Sequence, residues 1–158
     1  MPSPKIGNRA PAFNLPATSE QKIALKNLKG HYVVLYFYPK DSTPGCTTEG
    51  QDFSEHYEAF NSLGAVILGI SKDSIASHEK FKAKHAFPFD LLSDENEEIC
   101  QKYDVIKLKK MYGKEFMGVE RSTFLIDPEG KLVAEWRKVR VKGHVEAVLN
   151  TLTEITQS

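Results

Sequence analysis

The residues able to do chemistry crowd into one short stretch, Pro39 to Glu49, which reads Pro-Lys-Asp-Ser-Thr-Pro-Gly-Cys-Thr-Thr-Glu. A run of branched and aromatic residues, Val33 to Tyr38, precedes it, and Phe53, Tyr57, Phe60 and Leu63 follow at helical spacing. Cys46 is therefore predicted at or within the first turn of a helix. The first amide N–H groups of a helix lack internal partners and present roughly half a positive charge. A thiol held there has its anion stabilised, and the thiolate is the nucleophilic form. Pro44 fixes φ at the helix start, and Gly45 removes side-chain bulk beside the sulfur. Thr43 can turn its hydroxyl into the same volume, where it could accept a hydrogen bond from a bound hydroxyl group or donate one to a sulfur or oxygen anion. On position alone, Cys46 reads as readily as a small core hydrophobe. The proline- and glycine-flanked turn, with Thr, Asp and Ser near by, leans toward reactivity without naming a substrate.

The elements that must position this stretch are legible in outline. Val33 to Tyr38 predicts a strand buried on both faces, stopped by Pro39. The helix after Cys46 runs to Gly64, and Ala65 to Ile70 is a second buried strand. Ser74 can cap a helix reaching about His85. Phe89 to Leu92 suggests a short strand, and Asp94 with Glu97 a capping box for a helix through Cys100 and Tyr103. Residues 1 to 30 read as an extended lead-in with a weak strand near Ile23 to Leu25, and Lys107 to Val119 as a basic, irregular stretch. Thr123 to Ile126 and Leu132 to Trp136 predict a hairpin about the turn Asp127 to Gly130, and Val145, Val148, Leu149 and Leu152 a closing amphipathic helix. Strands alternating with helices, then a hairpin and a last helix, predict one three-layer α/β domain over residues 1–158 with a mixed sheet.

Composition excludes several classes of function. The 21 basic and 21 acidic residues cancel, so no global field gathers nucleic acid or an anionic membrane. The basic clusters around Lys107 to Lys114 and Arg137 to Lys142 read as solvated loop and edge-strand charge. Two cysteines among 158 residues make neither a secreted disulfide framework nor a structural zinc site. The five histidines form no i, i+4 pair and no cluster with cysteine, and His78 with His85 reads as a solvated pair rather than a metal site. Nucleotide-binding glycine motifs are absent, so no cofactor or metal is expected. The N-terminus has no apolar core of a signal peptide, and the longest apolar run is far short of a membrane span. A cytoplasmic, reducing setting is expected.

The stretch from Pro39 to Glu49 strongly resembles the peroxidatic-cysteine motif of the peroxiredoxins, in the wording of their bacterioferritin-comigratory-protein, or peroxiredoxin Q, branch. The resemblance extends along the chain through Pro11 to Phe13, Leu92 to Asp94, Arg121 to Asp127 and Val141 to His144. It implies a thioredoxin-like fold and a hydroperoxide substrate. Cys46 would attack the peroxide and become a sulfenic acid. Thr43 would hydrogen-bond the peroxide, Pro39 would shield the pocket, and Arg121 would stabilise both the thiolate and the charge on the leaving oxygen. Glu49 could orient Arg121, and Trp136, Phe116 and Met117 could border the mouth. Taken alone, Arg121 would read as a surface ion pair.

The chain departs from that pattern where many members of the branch keep a resolving cysteine. Five residues after Cys46 stands Gln51, and the segment Ser74 to His85 holds no cysteine. Cys100 is either an inert buried thiol or an atypical resolver that would need its Cα within about 7 Å of that of Cys46. The one-cysteine cycle is the favoured expectation, with thioredoxin, or glutathione and glutaredoxin, as the external reductant and a monomer as the working unit. Two other functions compete. A thioredoxin-type exchange protein would need Cys-x-x-Cys, whereas Cys46 is followed by Thr47, Thr48 and Glu49. A holdase or redox sensor would be oxidised slowly.

Overall fold

The structure is a computed structural model that describes residues 3–157. Strand β3 (Tyr32–Phe37) takes the continuous apolar run into the middle of a seven-stranded sheet, with both of its faces buried. It pairs in parallel with β4 (Ala65–Ser71) and antiparallel with β8 (Ser122–Ile126), so Leu35 faces Leu68 on one side and Phe124 on the other. Beyond β4 lies β5 (Asp90–Ser93), again parallel, and beyond β8 lies β9 (Leu132–Trp136), antiparallel. The hairpin β1 (Asn14–Ala17) and β2 (Gln21–Ala24) completes the mixed sheet, whose order is β2-β1-β5-β4-β3-β8-β9.

Successive residues of β3 point to opposite faces, and each face has its own core. Val34, Tyr36 and Tyr38 pack with side chains of four helices: Phe53 of α1 (Pro44–Glu55), Phe60 of α2 (Tyr57–Ser62), Phe81 of α3 (Ile75–His85) and Val148 of α5 (His144–Gln157). Val33, Leu35 and Phe37 pack on the other face with Phe13 of the lead-in and with Ile99 and Cys100 of α4 (Glu98–Lys102). Helices cover one face and α4 with the lead-in covers the other, giving the predicted three layers.

Several expectations are corrected. The lead-in contains two strands rather than one weak strand, joined through left-handed Ser19 and Glu20. The single long helix after Cys46 is broken at His56, whose ring nitrogen Nδ1 lies 3.0 Å from the Asp52 carbonyl. The capping box does not form, because Glu97 takes a left-handed φ of 58°. Asp94 instead reaches further along, accepting from the amides of Ile99 and Cys100 at 3.2 and 2.8 Å. The stretch read as irregular is a hairpin, β6 (Ile106–Met111) and β7 (Lys114–Val119), turning through Tyr112 and Gly113, both at positive φ. It forms its own two-stranded sheet, largely in contact with water, so it shows no alternation of buried and exposed residues. The basic residues there are partly paired, Lys107 with Asp104 and Lys110 with Glu115. Among the described residues no helix is long and apolar enough to cross a membrane.

Candidate active site

Strand β3 ends at Phe37, and the chain passes through Pro39, half-buried, into a turn that opens α1. Thr43 is the cap residue, Pro44 and Gly45 the first two helical residues, and Cys46 the third. A threonine cap ordinarily accepts from the amide of the second or third helical residue. Here it makes no such bond; its hydroxyl donates instead to the Lys40 carbonyl at 2.9 Å. The amides of Gly45 and Cys46 therefore keep the unpartnered character of a helix start. Cys46 is 2% exposed.

Arg121, at the start of β8, meets this helix start from the side. Its Nη2 donates to the Cys46 sulfur at 3.4 Å and its Nη1 to Glu49 Oε1 at 2.7 Å. One guanidinium thus bridges the thiol and a carboxylate one helical turn later. A Cβ on residue 45 would stand 3.1 Å from Nη2, so glycine there leaves the room that the approach needs. Burial works against the Arg121 charge, but Glu49 and the sulfur outweigh it and hold the guanidinium above its ordinary value.

Glu49 is 0% exposed, and among the described residues its Oε2 has no hydrogen-bond partner. Burial pushes its carboxyl up to about 7, with Arg121 opposing the shift. Beneath lies Tyr36, stacked on Phe53 at 4.6 Å between ring centres; burial first, and the Glu49 charge next, raise its hydroxyl well above the usual range. His144 is also buried near by, its Nε2 2.8 Å from the Thr123 hydroxyl. Burial, with the Arg121 charge adding, lowers His144 to about 4.

The turn itself is pinned from below. Asp41 accepts from the Tyr38 hydroxyl at 2.6 Å, from the Ser77 hydroxyl at 2.7 Å and from His78 Nδ1 at 2.7 Å. Burial opposes its charge, yet these hydrogen bonds, that of His78 foremost, hold the carboxyl below its ordinary value. His78 is therefore not half of a solvated pair with His85, as the spacing on α3 suggested; it is fully buried. Ligating atoms of Asp41, Asp73 and His78 lie within 4.8 Å of one another, and all three side chains are engaged in the hydrogen-bonded network.

Of the residues singled out in the sequence, Cys46, Glu49 and Arg121 converge, with Thr43 and Pro39 in the turn beside them. Phe116 and Met117 are exposed on β7, and Trp136 packs edge-on against His144. Cys100 lies across the sheet, 0% exposed in the opposite core; burial, then Asp94, pushes its thiol far up. Sequence reasoning missed the part played by Asp41 and His78. Asp41 stood inside the motif, but nothing in the spacing of His78 ties it to a residue on another element.

With this geometry in view, comparison with known proteins is decisive. The model of the AhpC/TSA family matches residues 6–135. Peroxiredoxin Bcp of Bacillus subtilis (strain 168) is 53% identical over 153 residues, covering 97% of this chain and 98% of that protein. The chain belongs to the peroxiredoxins of the AhpC/TSA family. As a peroxiredoxin it is also similar to Peroxiredoxin Bcp of Escherichia coli (strain K12), 35% identical over 150 residues, or 95% and 96% of the two chains. A structure of Xanthomonas campestris Peroxiredoxin Q superposes with a TM-score of 0.87 at 51% identity, over 91% of each chain. Structures of the Xanthomonas campestris bacterioferritin comigratory protein, described as trapped intermediate and ligand complexes bearing on alkyl peroxide reduction, reach a TM-score of 0.90 at 48% identity, covering 96% of this peroxiredoxin and 99% of that chain. The mixed-sheet sandwich is thus the thioredoxin-like fold of this family, and it is similar to structures of the peroxiredoxin Q branch.

Proposed function

We propose that this chain is a thiol-dependent peroxidase in which Cys46 reduces hydrogen peroxide and organic hydroperoxides. The observation that carries the reading is the bridge from Arg121 to both the Cys46 sulfur and Glu49, at 3.4 and 2.7 Å, built at a helix start whose amides are uncapped.

The chemistry runs from these groups. The Cys46 thiolate attacks the distal oxygen of the peroxide, forming an S–O bond as the O–O bond breaks. Charge moves from sulfur onto the leaving oxygen. Both ends of that shift lie within reach of fixed donors, the Arg121 guanidinium and the first amides of α1, which need no reorganisation during the step. Thr43 directs its O–H to the Lys40 carbonyl as a hydrogen-bond donor, so its oxygen lone pairs accept from the peroxide O–H and orient it. Pro39, with no amide N–H of its own, shields the sulfur from water. The leaving alkoxide or hydroxide takes up a proton and departs as alcohol or water, leaving Cys46 as a sulfenic acid. An external thiol condenses with that acid, releasing water and forming a mixed disulfide. A second thiol then frees Cys46 as the external disulfide leaves.

Thioredoxin, or glutathione with glutaredoxin, is the external thiol in this reading. Cys100 takes no part, since it belongs to the opposite core. Residues 1–158 act as one domain and as a monomer, in a reducing, cytoplasmic compartment and without a cofactor. Replacing Cys46 by serine tests the core of the proposal. Stopped-flow mixing with peroxide should find the wild type reacting orders of magnitude faster than a free thiol and Cys46→Ser not at all. Retained turnover in the variant would remove Cys46 as the nucleophile.

A further inference from the structure

Cys46 is 2% exposed, and the same burial serves the two halves of the proposed cycle differently. A small peroxide can enter a closed pocket. A thiol carried by another protein must reach the sulfur of the sulfenic acid, and it cannot do so while the helix start is closed around it. Whatever holds the turn before α1 in its closed shape therefore favours oxidation and opposes recycling.

The turn is held by a buried charge network that draws on α3, on β5 and on the ends of β3 and β4. Asp41 lies five residues before Cys46. Its amide donates to Asp73 Oδ2 at 2.9 Å, just beyond β4. Its carboxylate takes hydrogen bonds from Ser77 and His78 of α3, at 2.7 Å each, and from Tyr38 at the end of β3, at 2.6 Å. His78 in turn has Nε2 2.9 Å from the Leu92 carbonyl of β5. A carbonyl and an ionised carboxylate only accept, so the ring satisfies both neighbours only as the doubly protonated imidazolium. The contact is then a buried ion pair, and removing either member leaves the other charged and unpaired. The next residue, Ser42, sits at a left-handed φ of 64°, a conformation that non-glycine residues keep only where their surroundings fix it.

We propose that the Asp41–His78 pair is a positioning pair, a latch that fixes the Pro39–Thr43 turn and with it the closed helix start around Cys46, so that it promotes peroxide attack and slows recycling by a protein thiol. Neither side chain touches the reacting atoms. Both act through the turn. The proposal rests on the peroxidase reading above.

The test measures the two half-reactions separately in Asp41→Asn and His78→Gln. Oxidation is followed by stopped-flow mixing with hydrogen peroxide, and recycling by mixing the pre-formed sulfenic acid with a reduced thioredoxin. The latch predicts opposite movements: slower oxidation and faster recycling, each by about threefold or more, as small misplacements and population shifts of this size produce. A residue that merely supported the fold would depress both rates together. Tyr38→Phe, which deletes one hydrogen bond and leaves the ion pair in place, should shift both rates in the same opposed sense by a smaller factor, and it carries the test if the charge variants do not fold. Two rates that fall together, or neither changing, would overturn the latch. A wild type oxidised no faster than a free thiol would instead refute the peroxidase reading itself.

Discussion

At the scale of the residue, Glu49 has the sharpest physical signature in the molecule. It is a carboxylate with no exposure, one oxygen on Arg121 and the other without a partner among the described residues. Burial raises its carboxyl to about 7 from an ordinary 4.5. The folded protein thus binds a proton there between those two values that the unfolded chain has released. Stability from this group is complete below about pH 4.5 and is lost as pH rises through about 7. The amount is of order 1–3 kcal/mol. Glu49→Gln keeps the size and the acceptor but does not titrate. Thermal unfolding followed from pH 4.5 to 8 should find the decline across that window present in the wild type and flattened in the variant. The same decline in both proteins would show that Glu49 does not titrate there. Arg121 is what makes the arrangement tolerable, since a lysine could reach the sulfur or the carboxylate but could not fork between them.

At the scale of the element, α1 is the part whose exact seating matters, and a glycine sets it. A Cβ on residue 50 would come within 2.4 Å of the Phe87 ring, with two more ring atoms at 2.9 and 3.0 Å. Phe87 is itself buried, stacked on Phe89 and set edge-on to Phe81, so it has no room to yield. Alanine is the better helix former by about 1 kcal/mol, but overpacking of this kind costs about 1–3 kcal/mol, and here the clash wins. Gly50→Ala should lower the denaturant midpoint without changing the slope, and an unchanged or raised midpoint would count against the tight contact. The sequence carried the start of α1 and the strands β3, β4, β5, β8 and β9 because their signals are local. Val33 to Tyr38 is apolar at every position, Ser74 caps α3 as its type implies with the Ser77 amide as donor, and the Asp127 carboxylate takes the amides of Glu129 and Lys131 in the expected turn. The β6–β7 hairpin escaped notice because it buries too little to carry alternation. The cap at α4 was misread because Asp94 serves amides beyond the spacing of a capping box. Gly50 gave no sign of its role, since a close approach depends on a side chain far along the chain.

At the scale of the whole molecule, the two cysteines are divided by the sheet. Cys46 belongs to the core shared with Tyr36, Phe53 and Val148, and Cys100 to the core shared with Leu35, Phe37 and Tyr103. In sequence they were simply two thiols far apart, and whether they could meet was open. Which face each helix covers is a property of topology, and the alternation along β3 is what reveals it. Joining the two would require the Cα atoms to come within about 7 Å, which means carrying one sulfur through or around a seven-stranded sheet. Unwinding the first turn of α1 would free Cys46 but would not move it to the other face. Cys100 is moreover a poor attacking group, since burial and the neighbouring Asp94 hold its proton and the thiolate is the form that attacks. Intact-mass measurement after one equivalent of peroxide should therefore find Cys46 as a sulfenic acid, or as a mixed disulfide once an external thiol is added. Cys100→Ser should recycle with that thiol at the wild-type rate. An internal disulfide in the oxidised wild type, together with lost turnover in Cys100→Ser, would mean that the fold opens far more widely between half-reactions than the latch at Asp41 and His78 allows.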